Sequence, residues 1–252
     1  MPSASADVIS ELRQQIEGIE GVVARTRTVL PFDVPELDRR LPKGGLALGA
    51  LHEVAGGADG ALDGAAAAGF AAGIAARTGG KVLWCYTQAD LFAPSLAQSG
   101  LTEDRVVFFE ARDETSILGC AEEALRHGGL TAVVAELSGL SRVSSHRLQM
   151  AAETTGTMGL ALRRWRRHVD ARDFGNPTAA FTRWRVTEIN SAPLPVRGVG
   201  RARWQLELMR CRGGECADFE VEACDAQGFV AIPSQLADRS VATEAWRQRA
   251  AG

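Results

Sequence analysis

The chain has 252 residues, 46% of them apolar and 23% charged, with a formal net charge of −3. This composition is that of an ordinary globular protein, and no apolar run approaches the ~20 residues that a membrane helix requires. The N-terminus, MPSASADVISELRQQ, has acidic residues where a signal peptide has basic and then apolar ones. We therefore expect a cytoplasmic protein without membrane contact. The five cysteines form no C-x-x-C pair, which predicts reduced thiols and no metal site.

The two ends of the chain differ from its middle. Apolar residues recur at helical spacing in 7–20, behind a capping Asp7, which predicts a short helix. This helix either packs on the domain or forms an arm for a partner. Residues 234–252 contain no strand pattern and are predicted to form a tail. The chain thus divides into an N-terminal helical segment 1–27, a core 28–233 and a C-terminal tail 234–252.

Strand and helix patterns alternate through the core. The predicted strands are 48–54, 81–86, 106–109, 131–137 and 158–162, and the predicted helices are 65–76, 91–99, 115–127 and 142–155. Such alternation predicts an α/β fold with a parallel sheet and right-handed crossovers. The pattern then changes to alternating polar and apolar strands at 183–189, 202–210 and 217–223, with a turn at Gly213 and Gly214. These strands are predicted to extend the sheet in antiparallel fashion.

A glycine-rich turn separates the first predicted core strand from the first helix. Its positions are Gly56, Gly57, Gly60, Ala61, Leu62 and Asp63. The order of strand, glycine turn and helix is that of an ATP-binding loop, which requires G-x-x-x-x-G-K-[ST]. In that loop the lysine reaches the β- and γ-phosphates and the hydroxyl holds Mg²⁺. Here Leu62 replaces the lysine and Asp63 replaces the hydroxyl residue.

The carboxylate of Asp63 would repel a phosphate. At ~4 Å and an effective dielectric constant of ~20, this repulsion is on the order of 4 kcal/mol. The sequence therefore predicts a nucleotide-binding scaffold that is not an enzyme and has no cofactor. Two acidic residues follow predicted strands. Glu136 would either hold magnesium or serve as a salt-bridge partner or an N-terminal partner of the following helix, and Asp90 would cap the helix after its own strand.

Residues 163–212 hold 12 arginines and 4 acidic residues between acidic flanks. This segment either binds an anionic partner or pairs with the acids of the chain itself. Arginine with interleaved tryptophan suits phosphate contact plus base stacking. The candidate nucleic-acid residues are Arg163, Arg164, Trp165, Arg166, Arg167, Arg183 and Arg185. Trp184 and Trp204 fall in alternating strands and are expected in the core, whereas Trp165 is expected to be exposed.

Several spaced segments resemble the ImuA family of bacterial, RecA-like accessory proteins of damage-induced mutagenesis. They are LPFDVPELDRRLPKGGLALGALHEVAG, KVLWCYTQADLFAPSLAQSGL, RWRV and RWQLELMRCRGG, and they span roughly residues 28–223. More distantly, the layout resembles the core of the RecA recombinase. The resemblance implies a RecA-like core with a mostly parallel sheet flanked by helices and antiparallel strands at its C-terminal end.

The RecA resemblance also carries expectations for single residues. The water-activating acid of RecA falls on Gln88, an amide that cannot act as a base, and its loop lysine falls on Leu62. A mobile DNA-binding loop of RecA falls on residues 174–182. Arg210 and Arg212 match a basic pair that RecA uses across its subunit interface, which makes them candidate partner contacts in a homo-oligomer.

The family resemblance implies a non-catalytic adaptor of error-prone translesion synthesis after the SOS response. Its expected partners are an ImuB-like polymerase subunit, RecA and single-stranded DNA, at a nucleoid-associated location. Trp246 in the tail is a further candidate partner contact, because exposed aromatic residues often anchor interfaces; the alternative is a terminal helix folded back on the domain. Two other functions remain open: a SulA-like inhibitor of cell division, and an unorthodox ATPase in which Arg77 or Lys81 supplies the missing cation.

Overall fold

A computed structural model describes residues 28–57, 60–165, 174–192, 198 and 200–233. The predicted N-terminal helix, the tail with Trp246, and the pair Arg166 and Arg167 lie outside these residues. The predicted division of the chain into three parts stays a prediction. Among the residues described, no helix has both the length and the apolar character needed to cross a membrane.

The core is one eight-stranded sheet. Its strands are β3 (Leu51–Gly56), β4 (Val82–Tyr86), β5 (Val106–Glu110), β6 (Ala132–Leu137), β7 (Met158–Arg163), β8 (Thr182–Ile189), β9 (Arg203–Cys211) and β10 (Ala217–Glu222). The spatial order is β10-β9-β8-β3-β7-β6-β4-β5. Strands β8 to β5 in this order run parallel, whereas β9 and β10 are antiparallel additions. The predicted parallel sheet, its antiparallel extension and the turn at Gly213 and Gly214 are confirmed.

Five α-helices flank the sheet in the described part of the chain. They are α1 (Pro35–Asp38), α2 (Gly60–Arg77), α3 (Ala93–Gln98), α4 (Glu114–His127) and α5 (Arg142–Thr155). Two single 3-10 turns, Pro42–Gly44 and Glu103–Arg105, and a small antiparallel pair of β1 (Val29–Leu30) with β2 (Leu46–Ala47) complete the elements. Side-chain caps begin helices α4 and α5: Asp113 accepts from the Ser116 amide before α4, and Ser141 accepts from the Ser144 amide before α5.

Alternation along the strands builds a core on each face of the sheet. Helix α2 packs on one face and helices α4 and α5 on the other. The alanine-rich α2 approaches the sheet closely, and its Phe70 ring lies 5.7 Å from Trp184 and 6.3 Å from Trp204, centroid to centroid. Both tryptophans are buried, which confirms their predicted place in the core.

Two element starts differ most from the sequence-based expectation, and both shape the glycine turn. Strand β3 begins at Leu51 rather than at residue 48, because Gly49 adopts a φ of 64° that breaks the strand. Helix α2 begins at Gly60 rather than at residue 65. Ala61, Leu62 and Asp63 are therefore the first helical turn of α2 instead of a loop.

Candidate functional site

The carboxyl ends of β3, β4, β6 and β7 meet at one edge of the sheet because these strands are parallel. We call this region the carboxyl edge; its strand ends are Gly56, Tyr86, Leu137 and Arg163. Open α/β sheets bind their ligands at this edge. The glycine turn, Glu136 and Arg164 all lie here, so the fold brings the predicted site residues of these strands together.

The carboxylate of Asp63 fills the glycine turn. The side chain is buried, and its Oδ1 accepts a hydrogen bond from the Glu188 amide at 2.8 Å. A Cβ atom on Gly57 would lie 2.5 Å from its Oδ2, so only glycine fits beside it. The Gly57 amide donates to the Val186 carbonyl at 2.9 Å instead of pointing at an anion. The buried Asp63 carboxylate therefore lies between Gly57 of the glycine turn and the Glu188 amide of β8.

An open cavity of about 690 Å³ lies beside this turn, between the start of α2 and the β8–β9 pair. Among the described residues that line it, the carboxylates of Asp63, Glu188 and Glu207 face one cation, Arg185. Arg185 is already bound to Glu207 through two hydrogen bonds of 2.6 and 2.7 Å. The charge of this cavity disfavours a triphosphate.

A second group of charges closes the carboxyl edge, and we call Arg164, Glu136 and Asp90 the rim cluster. Arg164 Nη1 donates to Glu136 at 2.8 Å and to Asp90 at 3.1 Å. Glu136 also accepts from the Trp84 indole at 2.7 Å. The stem of Arg164 lies over Gly64 of α2, with Nε 3.8 Å from the position of a Cβ there. A guanidinium of the chain itself thus lies between the strand ends and the start of α2.

The rim cluster decides between the two readings of Glu136. Burial raises the pKa of Glu136, and its contacts with Arg164 and Trp84 only partly offset this. Each of its carboxylate oxygens already accepts a hydrogen bond, so the salt bridge is the role that the structure shows. The expected capping role of Asp90 is wrong, because α3 begins after Phe92 without a side-chain cap and Asp90 pairs with Arg164.

A third group of charges lies inside the domain, and we call Glu53, Arg163 and Arg183 the buried triad. Glu53 on β3 accepts from Arg163 Nη1 at 2.8 Å and from Arg183 Nε at 2.8 Å. The Thr178 hydroxyl donates to the same carboxylate at 3.0 Å. The side chains of Glu53 and Arg163 are 0% exposed. Full burial with several charge-assisted hydrogen bonds makes this a structural unit rather than a surface.

The buried triad fastens the segment that follows the undescribed residues 166–173. Arg183 Nη2 donates to the Asn176 carbonyl at 2.7 Å, and the Phe174 ring lies 5.1 Å from the Trp165 ring. Trp165 is only 7% exposed, and its indole donates to the Ser138 carbonyl at 3.1 Å. The expectation that Trp165 is exposed is therefore wrong, because this segment covers it.

Four of the predicted nucleic-acid arginines are described by the structure, and all four pair with acids of the chain. Arg163 and Arg183 are buried and present no cation to a phosphate, so the structure corrects that part of the prediction. Arg164 and Arg185 are partly exposed but bound to Glu136 and Glu207. The alternative interpretation, a basic segment that neutralises the chain's own acids, describes these residues.

Arg210 and Arg212 lie far from the carboxyl edge. Strand β9 runs antiparallel to β8, so its last residues pair with the beginning of β8 at Thr182. Arg210 donates to the Thr178 carbonyl, and the Arg212 guanidinium lies 4.8 Å from the centre of the Phe181 ring. The structure thus places the two arginines together near the amino end of β8, opposite the carboxyl edge. Their role as partner contacts stays a prediction.

Sequence reasoning missed Glu53, the acid at the centre of the buried triad. Its signal was present, because it lies within the apolar strand run Leu51–Gly56. A carboxylate in a buried strand requires a cationic or hydrogen-bonding partner. The partner's identity, however, could not be read from the chain.

Comparison with known proteins assigns the family. Two curated relatives named Protein ImuA, from the NA1000 / CB15N and ATCC 19089 / CIP 103742 / CB 15 strains of Caulobacter vibrioides, are each 40% identical over 236 residues. The alignments cover 87% of this chain and 96% of each relative. The chain belongs to the ImuA family. No family model matches the chain.

The fold is also similar to a solved structure. The crystal structure of the RadB recombinase superposes with a TM-score of 0.55 at 15% sequence identity. The superposition covers 81% of this chain and 99% of that chain. At this identity the likeness concerns the fold alone, and the RecA-like α/β fold expected for an ImuA protein is confirmed.

Proposed function

We propose that this ImuA-family protein is a non-catalytic, RecA-like adaptor of error-prone translesion DNA synthesis. It acts beside an ImuB-like polymerase subunit and RecA. Family membership supports the setting, and one observation supports the absence of catalysis. At the carboxyl edge, where open α/β sheets bind their ligands, the chain's own charged groups bind one another: Asp63 accepts from the Glu188 amide, and Arg164 pairs with Glu136 and Asp90.

Several requirements of a RecA-type ATPase are missing at once. Leu62 is an exposed apolar side chain on the first turn of α2 and supplies no cation. Gln88 provides an amide where a water-activating acid is needed. Glu136 is held by Arg164 and Trp84, so a metal ion would have to break two hydrogen bonds to use it. At these three positions the chain offers neither a cation nor an available carboxylate for phosphoryl transfer.

The rival ATPase function is weakened by the positions of its candidate cations. Arg77 lies at the last turn of α2, one helix length from the glycine turn, with its guanidinium over the Phe32 and Phe229 rings. Lys81 precedes β4 at the amino end of the strand and donates to the Asp104 carbonyl. Neither side chain reaches the carboxyl edge from there.

Calorimetric titration of the purified chain with magnesium and millimolar ATP tests the proposal, with RecA titrated in parallel. We expect heat of binding for RecA and none for this protein. The variant Leu62→Lys with Asp63→Thr is the sharper sample, because it restores the lysine and the hydroxyl residue but leaves the rim cluster in place. We expect no heat of binding from this variant either. ATP binding by the unmodified chain would overturn the proposal.

The adaptor role is tested by co-purification. We expect the tagged chain to retain an ImuB-like subunit and RecA from cells treated with a DNA-damaging agent. A SulA-like function instead predicts retention of the division GTPase.

Single-stranded DNA binding is measured as a function of salt concentration, and the double variant Arg166→Ala plus Arg167→Ala is compared with Arg185→Ala. If DNA is bound, we expect only the first pair to change the salt slope, by about one unit per lost phosphate contact.

A further inference from the structure

Strand β5 forms one free edge of the sheet and is apolar on both faces. Its only described neighbour is β4. Val107 is 53% exposed, Phe108 38% and Phe109 37%, and no residue of the strand is buried. Side chains alternate between faces along a strand, so neither face of β5 is covered by a helix of the described residues. A long apolar edge of this kind is a template for another strand.

The direction of the free backbone groups follows from one hydrogen bond. The Ala111 amide donates to the Tyr86 carbonyl at 2.7 Å, next to the register pair of Tyr86 with Glu110. Successive residues of a strand turn their backbone N–H and C=O groups to opposite sides. The backbone groups of Val107 and Phe109 therefore point towards β4. The backbone groups of Val106, Phe108 and Glu110 then point away from the sheet. These three residues offer a full set of outward donors and acceptors.

We propose that β5 pairs with β5 of a second copy of this chain, antiparallel about a two-fold axis at Phe108. An antiparallel ladder joins outward-facing residues to each other. Phe108 therefore lies opposite Phe108 of the partner subunit, and Val106 lies opposite Glu110 of the partner subunit. The two sheets become one continuous sheet with β10 at each end. This inference does not depend on the proposed function.

The side chains are self-complementary in this register. The two Phe108 rings meet on one face, and on the other Val107 lies opposite Phe109 of the partner subunit, an aromatic pair with a β-branched residue. Glu110 lies opposite an apolar residue rather than another carboxylate. Arg112, whose side chain is 90% exposed, is brought towards Asp104 of the partner subunit. Both apolar surfaces and opposite charges thus match within a second copy.

The other edge of the sheet does not allow the same pairing. Strand β10 carries Asp218, Glu220 and Glu222 at alternate positions. Two copies of β10 would place carboxylates against carboxylates, and like charges directly opposite each other are unfavourable. Charged edge strands are a common protection against self-association. The association is therefore predicted at β5 and not at β10.

Sedimentation velocity on the full chain tests the proposal with a matched pair of variants. Glu110→Pro removes an outward N–H and leaves the bonds of β5 to β4 in place, whereas Glu110→Ala keeps that N–H. We expect a dimer for the unmodified chain and for Glu110→Ala, and at least tenfold weaker association for Glu110→Pro. A monomer for the unmodified chain at all concentrations, or a dimer unaffected by Glu110→Pro, would overturn the proposal.

Cysteine cross-linking tests the register and does not rely on the proline variant. Phe108→Cys and Val107→Cys are compared on a Cys216→Ser background, since Cys216 is exposed. Across the axis, the Cα atoms of position 108 lie about 5.5 Å apart, within disulfide range. Those of position 107 lie ~7–8 Å apart, which is too far. A mild oxidant is expected to link Phe108→Cys only; linking of neither variant, or of Val107→Cys, refutes this pairing.

Discussion

Arg163 of the buried triad and Arg164 of the rim cluster are adjacent in the sequence but lie in different environments. Arg163 is the last residue of β7 and Arg164 follows it. The pleat turns Arg163 to the α4 and α5 face, where it meets Glu53 at 0% exposure, and turns Arg164 to the α2 face, where it meets Glu136 at 20% exposure. The same kind of ion pair therefore has two positions: Arg163 pairs with Glu53 inside the domain, and Arg164 pairs with Glu136 at the carboxyl edge.

The difference in burial sets what each cluster is worth. Removal of one partner from a fully buried ion group leaves an uncompensated charge in a low-dielectric interior. A group at the rim can recruit water when its partner is lost, so the penalty is smaller. Variants of the two clusters should therefore differ in the free energy of unfolding.

The largest effect is expected for Glu53→Gln, which removes the buried carboxylate that Arg163 and Arg183 share. We expect a loss of about 3–5 kcal/mol in the free energy of unfolding, measured by urea denaturation. The matched control is Glu207→Gln, which breaks the half-exposed pair with Arg185 and is expected to cost less than about 1 kcal/mol. Similar losses for both variants would contradict the distinction between fully buried and partly exposed charges.

Arg164→Met is expected to have the next largest effect. It leaves the carboxylate of Glu136 buried without its guanidinium, at about 1–3 kcal/mol in the free energy of unfolding near neutral pH. Arg164 lowers the pKa of Glu136 against the effect of burial, so its removal raises that pKa further. The loss should shrink in acid, where Glu136 is protonated. Arg112→Met, at a fully solvated arginine, is the control and should change little.

Asp63→Ala is expected to cost about 1 kcal/mol, because the partly buried Glu188 amide loses its hydrogen-bond acceptor. The variant removes the acceptor of the Glu188 amide and the negative charge at the start of α2. Asp63→Asn keeps an oxygen acceptor and should lose less. Thermal unfolding of the two variants side by side measures the difference, and an equal loss would show that only the charge matters.

The smallest effect expected is a gradual change of the free energy of unfolding with pH, caused by Glu136. The pKa of Glu136 is raised above its ordinary value of 4.5, chiefly by burial. The folded state therefore holds this proton at pH values where the unfolded state has released it. The resulting stability is present below 4.5 and is lost as pH rises through the raised pKa. Compared with Glu136→Gln, the unmodified chain should become relatively less stable over that range; a parallel pH profile would refute this assignment.

The order and type of the elements could be read from the chain. Helix α5 spans the predicted residues 142–155, and each predicted core strand is present with shifts at its ends. Hydrophobic period is a local property, so it survives without knowledge of the fold. The defect of the glycine turn was equally readable, because no packing converts Leu62 and Asp63 into a lysine and a hydroxyl residue.

Tertiary structure alone decided which charges meet and which strand is exposed. Glu53 finds arginines 110 and 130 residues further along the chain, and Trp165 is covered by a segment that no local pattern links to it. The run VVFF at 106–109 resembles any buried strand, and only the strand order leaves β5 at an edge of the sheet. Local sequence fixes period and residue chemistry, whereas burial and pairing are properties of distant segments brought together by the sheet.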